Sequence, residues 1–342
     1  MVTTRPNGQS YIIKRPRLTR LLDESEARII LLCAPAGYGK TTLAREWVEE
    51  SRHKWAWYSL RPTDCDVAGL ASGLAGLFAG PQTIDPVERV RSLAASGQPI
   101  EALAHTVAVA AARSGATLVI DDYHHAIESA EANDFIRELV LRTTLRIVLT
   151  SRVRPDWLTA RNVVYGDATV IGRDDLAFTD QEAREALGGA SRSDNPEILD
   201  MASGWPAIIG MAAVQEWVPP ISPGLAPSAL YDFLADELFG SVQPRLQESL
   251  LCLAAGGDAN LNVARELLGV DFDDVMAEAD LRGFVSHDPD GSPTIHPLLR
   301  DFLLTRLRRQ GQRRIAAVAH RVVRLLVEAR CWDACLTTLQ RF

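Results

Sequence analysis

Between Ala34 and Thr41 the chain reads Ala-Pro-Ala-Gly-Tyr-Gly-Lys-Thr, with two glycines set just ahead of a lysine and a threonine. A polyphosphate needs several backbone N–H donors at once, so the chain around it must curl tightly where side chains would clash, and Gly37 and Gly39 permit that curl. Ala36, Gly37, Tyr38, Gly39 and Lys40 are therefore expected to cradle the phosphates, helped by the positive dipole end of a helix starting near Lys40. Lys40 would reach the β- and γ-phosphates, Thr41 would place its hydroxyl on a magnesium ion, and Thr42 would donate toward the α-phosphate. Such a loop usually opens on glycine. Here Ala34 stands in that place and is small enough to fit.

A loop of this kind needs an acidic partner at the end of a buried strand, and Thr117-Leu118-Val119-Ile120-Asp121-Asp122 supplies one about 80 residues further on. Asp121 is expected to hold the water shell of the magnesium, and Asp122 to orient an attacking water. A third apolar stretch ends in Leu149-Thr150-Ser151-Arg152. If it lies beside the first two, Arg152 can aim its guanidinium at a γ-phosphate, with Arg154 as a rival for the role. These residues together predict binding of ATP or ADP with Mg2+, with Asp122, Lys40 and Arg152 as the groups nearest the chemistry.

The elements that must position these groups are legible as a pattern. Ala27 to Cys33 is a short, nearly continuous apolar run, as expected of a parallel strand covered on both faces, and Thr41 to Glu50 reads as the helix after it. Strands are expected at Trp55–Leu60, Thr117–Ile120 and Arg146–Thr150, with Thr169–Ile171 as one more. Helices are expected at Val67–Ala79, Pro99–Arg113 and Ala132–Arg142. Strands alternating with helices at this spacing predict an α/β layer fold with a mostly parallel sheet. After about residue 178 helices dominate, beginning with a capped one at Thr179 and Glu182. The Pro-rich stretch Pro219 to Pro227 reads as a linker. Beyond it lie short helices and a hairpin in which Phe284–His287 and Thr294–His296 flank Asp288-Pro289-Asp290-Gly291, suggesting a winged helix. Arg313–Ala329 and Trp332–Phe342 close the chain as a helical pair, read as the first unit of a longer repeat. The resulting division is 1–175 (P-loop nucleotide-binding domain), 176–222 (helical domain), 223–310 (winged-helix domain) and 311–342 (start of a TPR-like region).

Composition narrows the partners. Asp and Glu number 44 against 36 Lys and Arg, a net charge of −8, so no broad positive field exists to hold nucleic acid by counterion release. Lysines are few (Lys14, Lys40 and Lys54), which singles out the one behind Gly39. No run reaches the roughly 18 apolar residues of a membrane span, and the polar start lacks a secretory h-region. A cytoplasmic site with no membrane partner is expected. The five cysteines are scattered and odd in number, which favours reduced thiols over disulfides or a metal site at Cys331 and Cys335.

Taken together, PAGYGKTTL (Pro35 to Leu43), WYSL (Trp57 to Leu60), LVIDDYH (Leu118 to His124), LTSR (Leu149 to Arg152), LAFTDQEA (Leu176 to Ala183) and SGWPA (Ser203 to Ala207) resemble a family across nearly the whole chain. It is the MalT-like branch of the signal-transduction ATPases with numerous domains, the STAND class, related to the nucleotide-binding modules of Nod-like receptors and plant disease-resistance proteins. By that resemblance Pro206 packs on the adenine, His296 in Ile295-His296-Pro297-Leu298-Leu299 touches the phosphate of ADP at rest, and Arg17 in the segment Arg15–Leu18 helps to hold the base. Pro297 departs from the Asp that often follows that histidine in the family, and the residues of Arg15–Leu18 by themselves read only as a basic, Pro-containing turn. The resemblance implies a slow ATPase used as a switch, monomeric with ADP and self-associating with ATP. It also implies a longer transcription regulator, whose inducer-sensing and DNA-binding regions lie outside this chain. Two rivals stand beside it: a P-loop phosphotransferase, and a DNA-binding module using the winged helix and the cluster Arg306, Arg308, Arg309, Arg313 and Arg314.

Overall fold

The computed structural model describes residues 13–51, 54–64, 66–79, 85–188, 196–215, 232, 234–257, 261–287 and 292–342. They form two compact units that meet in sequence between Leu176 and Ala177. The Pro-rich stretch 219–227 and the turn 288–291 lie outside the described residues.

The unit spanning Lys14–Leu176 is a five-stranded, wholly parallel sheet in the order β2-β3-β4-β1-β5. Its elements in chain order are α1 (Pro16–Glu24), β1 (Ile29–Cys33), α2 (Lys40–Glu50), β2 (Trp55–Ser59), α3 (Val67–Leu77), α4 (Pro86–Ala95), α5 (Ile100–Ser114), β3 (Thr117–Asp121), α6 (His124–Ile127), α7 (Ala130–Arg142), β4 (Ile147–Ser151), α8 (Ala160–Val164), β5 (Ala168–Ile171) and α9 (Arg173–Leu176). The central strands are buried almost end to end, which is why they read as continuous apolar runs rather than alternating ones. β4 pairs with both β1 and β3, so the strand carrying Arg152 at its end does lie between the phosphate loop and the acids. Leu70, Leu74, Val107 and Phe135, from three covering helices, pack with Leu118 and Ile147 of the sheet.

Several helices depart from the sequence reading, among them the short α6, α8 and α9, which it did not contain. Arg15–Leu18 is no turn: Pro16 opens α1, where a missing N–H costs nothing, and Leu18 and Leu22 bury themselves one helical turn apart. α4 was not expected; Asp85 caps it by accepting from the Val87 N–H, with Pro86 as its first residue. The strands and the helices that the sequence did lead us to expect in this unit agree with their positions to within a few residues.

The second unit, from Ala177, is mainly helical: α10 (Asp180–Leu187), α11 (Pro196–Ala202), α12 (Pro206–Gln215), α13 (Pro244–Gly256), α14 (Leu261–Leu268), α15 (Phe272–Leu281), β6 (Val285–His287), β7 (Pro293–Ile295), α16 (Pro297–Arg309), α17 (Gln312–Glu328) and α18 (Trp332–Arg341). Thr179 and Glu182 cap α10 reciprocally, satisfying two N–H groups that a helix start leaves open. The expected hairpin forms, with β6 and β7 antiparallel and Val285 opposite Ile295. Among the described residues no helix is long and apolar enough to cross a membrane, and no group of three or more His, Cys, Asp or Glu side chains is arranged to hold a metal.

Candidate nucleotide-binding site

The loop between β1 and α2 takes the shape its glycines allow. Gly37 and Gly39 have φ of 80° and 77°, the left-handed region that other residues rarely enter. Gly39 is the N-cap of α2, so the first amides of that helix have no side-chain cap. Amides presented this way at a helix start form a ready anion site. Tyr38 is anchored inward: only 2% of it is exposed, and its hydroxyl accepts from Arg173 Nε at 3.0 Å. Ala34 and Ala36 are buried, and Thr42 is exposed on the first turn of α2.

Lys40 is 6% exposed, and its Nζ donates to Ala34 O at 2.7 Å and Pro35 O at 2.8 Å. The two carbonyls fold the ammonium back against its own loop but do not neutralise it. Burial, and secondly the like charge of Arg152, push its pKa down to about 8. A buried cation solvated by carbonyls alone is poised to gain from an incoming anion.

Opposite it, Asp121 at the end of β3 is 3% exposed. Its Oδ1 accepts from Thr41 Oγ1 at 2.8 Å and from Thr150 Oγ1 at 2.6 Å. The Thr150 hydroxyl in turn accepts from the Asp122 N–H at 2.9 Å. That threonine joins three residues of the site, and its signal was present in LTSR as a hydroxyl one residue from the strand end. Asp122 adopts φ 56°, in the left-handed region that residues other than glycine rarely enter. Burial and then the charge of Asp121 raise its pKa above the ordinary carboxylate value. A half-buried acid of raised pKa beside a fully buried one is suited to accepting a proton.

Arg152 follows β4 directly, and its charge acts on both Lys40 and Asp122. Arg154 Nε donates to Leu158 O at 2.7 Å within the same segment, and its charge acts on Cys33 at the end of β1. Arg17 Nη1 donates to Asp175 O at 2.6 Å. Arg15, 5% exposed, also lies beside the loop: its Nη1 would be 4.0 Å from a Cβ placed on Gly39, and its Nη2 donates to Leu176 O at 2.8 Å. The sequence alone does not choose between the two, since they stand two residues apart at the start of one helix and both donate to carbonyls at the end of α9.

Pro206 and His296 belong to the second unit. Gly204 has φ 73°, and a Cβ there would meet Phe178 O at 2.9 Å, so the turn ahead of Pro206 requires glycine. Pro206 opens α12 behind the buried Trp205. His296 caps α16; its Nε2 lies 3.2 Å from Ala202 O, and its ring meets Trp205 edge to face at a centroid distance of 5.3 Å. The hairpin and α11–α12 are thereby joined through this histidine inside one unit.

Comparison with known proteins agrees with the motifs. Residues 22–152 match a family described as an AAA domain. The HTH-type transcriptional regulator MalT of Yersinia pestis (strain Pestoides F) is 25% identical over 329 residues, and that of Serratia proteamaculans (strain 568) is 28% identical over 328 residues; each alignment covers 87% of this chain. The chain spans 35% of the length of these relatives. Among solved structures, the Walker-type ATPase PABY2304 of Pyrococcus abyssi shares the fold with a TM-score of 0.59 at 14% identity, covering 89% of this chain and 98% of that one.

Proposed function

We propose, from the premise that this chain is a MalT-like P-loop ATPase, that it is the adenine-nucleotide switch portion of a STAND-class transcription regulator, resting with ADP and self-associating with ATP. The observation that carries this reading is the 2.8 Å hydrogen bond between Thr41 and Asp121, which brings the phosphate loop and the acidic strand end to one point. In this reading Thr41 and Asp121 would hold Mg2+, which would supply Lewis-acid chemistry at the terminal phosphates. The amides of Ala36, Gly37, Tyr38, Gly39 and Lys40 seat the phosphates, Thr42 bonds the α-phosphate side, and Lys40 contributes fixed positive charge. Asp122 takes the proton of the attacking water. Arg152 distinguishes three phosphates from two, and Arg17 with Pro206 contributes to the base site.

The finer division of the chain is part of the same proposal. Residues 1–175 carry the loop, 176–222 the helical piece with Pro206, 223–310 a winged helix, and 311–342 the start of a repeat region. The antiparallel pair β6–β7 between helices supports the winged helix. The exposed Trp332, Leu336 and Leu339 on α18, spaced to share a helix face, support a repeat that continues. Inducer and DNA are met through those further regions, as in a regulator of the HTH type. Turnover is slow because a switch needs a long-lived state more than flux.

The switch is tested by mass and by affinity together. Light scattering is expected to give a monomer with ADP and a larger particle with a non-hydrolysable ATP analogue; one mass in both states would sink the self-association. His296→Ala is expected to weaken ADP by about tenfold, the worth of one charge-assisted hydrogen bond, and the ATP analogue by much less. Equal loss for the two nucleotides would remove His296 from the switch.

A pH signature follows from Lys40. With its pKa near 8 in the ligand-free fold, the lysine loses charge above that value, and phosphate binding raises the pKa again. ADP affinity is therefore expected to fall as pH rises through about 8, with proton uptake on binding, read by calorimetry in buffers of different ionisation enthalpy. Between about 8 and the unfolded value of 10.5 the ligand-free fold holds fewer protons than the unfolded chain, so the stability contribution of this group rises with pH across that window. Binding without proton uptake near pH 8 would place the lysine away from the ligand.

A further inference from the structure

Tyr123 follows the two acids directly and is completely buried. Its main-chain N–H donates to Thr150 O at 2.8 Å, extending the tie between the ends of β3 and β4. Its hydroxyl donates to Asn133 Oδ1 of α7 at 2.5 Å and accepts from Trp157 Nε1 at 2.8 Å. The rings of Tyr123 and Trp157 meet edge to face, at a centroid distance of 6.1 Å and an interplanar angle of 85°.

Trp157 belongs to the segment that begins with Arg152. That segment is closed on itself: Ser151 Oγ donates to Val153 O, Arg154 Nε donates to Leu158 O, and Asp156 Oδ1 accepts from the Trp157 N–H. Asn133 Nδ2 adds a bond to Asp156 Oδ1 at 3.3 Å. The stretch is thus tied within itself; Thr150, just before it, is bonded to the end of β3, and the Trp157 N–H adds a side-chain bond from within the stretch to the Tyr123 phenol. An arginine side chain has several free torsions, so where its guanidinium points depends on how firmly the backbone below it is held.

We infer that Tyr123 is a positioning residue: it locks the Arg152-bearing segment to the end of β3, so that the guanidinium and the carboxylates of Asp121 and Asp122 meet a terminal phosphate in one fixed arrangement. The inference rests on the reading of Arg152 given above as the group that distinguishes ATP from ADP. A ligand ending at the β-phosphate is held by the loop amides and Lys40, which this lock does not touch. The third phosphate alone depends on it.

The test is calorimetry with Mg2+ on the 342-residue chain, using ADP and a β,γ-imido ATP analogue against the parent, Tyr123→Phe, Arg152→Ala and the double variant. Removing one buried hydroxyl is expected to weaken the imido analogue by about tenfold while ADP stays within about twofold. In the Arg152→Ala background the same substitution is expected to have no further effect on the analogue, the non-additivity of two groups acting as one. Equal losses for both nucleotides, or a loss that persists undiminished without Arg152, would show a merely structural tyrosine and overturn the inference. A selective loss for Arg152→Ala with Tyr123→Phe silent overturns it too, while leaving the reading of Arg152 intact. An Arg152→Ala variant that binds the analogue normally overturns both. If Tyr123→Phe fails to fold, Trp157→Phe keeps an aromatic ring while removing the N–H with the rest of the fused five-membered ring, and the same selective loss is expected of it; a uniform loss counts against the lock.

Discussion

Lys40→Ala is expected to reduce ADP affinity by two to three orders of magnitude, roughly the loss of charge-assisted hydrogen bonds worth about 1.5–3 kcal/mol each. The size follows from where the ammonium sits. It is 6% exposed, held by two carbonyls of its own loop, and its pKa is pushed down to about 8 because its charge is poorly solvated. A phosphate replaces weak dipoles by an opposite charge, so the whole difference appears as binding. Removal of the lysine also removes the desolvated charge, so the ligand-free variant should unfold at a temperature no lower than the parent, and only the upward shift produced by ADP should vanish. Calorimetry for affinity and thermal unfolding with and without ADP check the two halves. ADP binding within about threefold of the parent would be far less than one charged hydrogen bond is worth, and would refute the role of Lys40. Loss of binding accompanied by early unfolding would point to a damaged loop.

How much of this was legible before the coordinates depends on the kind of signal. Glycines at 37 and 39 permit a left-handed backbone that other residues rarely enter, and set just ahead of a lysine and a threonine they let the loop be read from residue types and spacing. The strands β1, β3 and β4 were legible because burial on both faces leaves unbroken apolar runs. Thr179 and Glu182 announced the start of α10 for an equally local reason. The order β2-β3-β4-β1-β5 was not in the pattern, since strand adjacency is decided by packing between distant segments. For the same reason Thr150 passed as an ordinary strand residue, although only its neighbours across the sheet make its hydroxyl the link between Asp121 and Asp122. Arg15 and Arg17 show the limit most plainly. Arg15 is the N-cap of α1 and Arg17 lies in its first turn, the two donating to the adjacent carbonyls of Leu176 and Asp175, and the segment reads as a turn unless Leu18 and Leu22 are seen to have a surface to bury against.

Asp121→Asn separates the metal from everything else in the site. In the ligand-free fold the Asp121 carboxylate works through one oxygen, Oδ1, which accepts from both Thr41 and Thr150. An asparagine carbonyl can keep both bonds, so the fold should lose little, and the thermal transition without nucleotide should stay within about 3 °C, the shift that a fraction of a kcal/mol produces. Magnesium is a different matter, because it takes hard, charged oxygen donors and such a site holds it with only one or two carboxylates besides the phosphates. Neutralising that carboxylate is expected to cost about 30- to 100-fold in affinity for an ATP analogue with Mg2+ present, the equivalent of about 2–3 kcal/mol for a charged contact. With the metal chelated, parent and variant should bind alike, because the amides of the loop and Lys40 are unchanged. Calorimetry of the same two proteins with magnesium and with a chelator gives all four numbers. A loss of the same size in both conditions would mean that Asp121 supports the loop rather than an ion, and the bond between Thr41 and Asp121 would then be a brace between two elements and not the place where a metal enters.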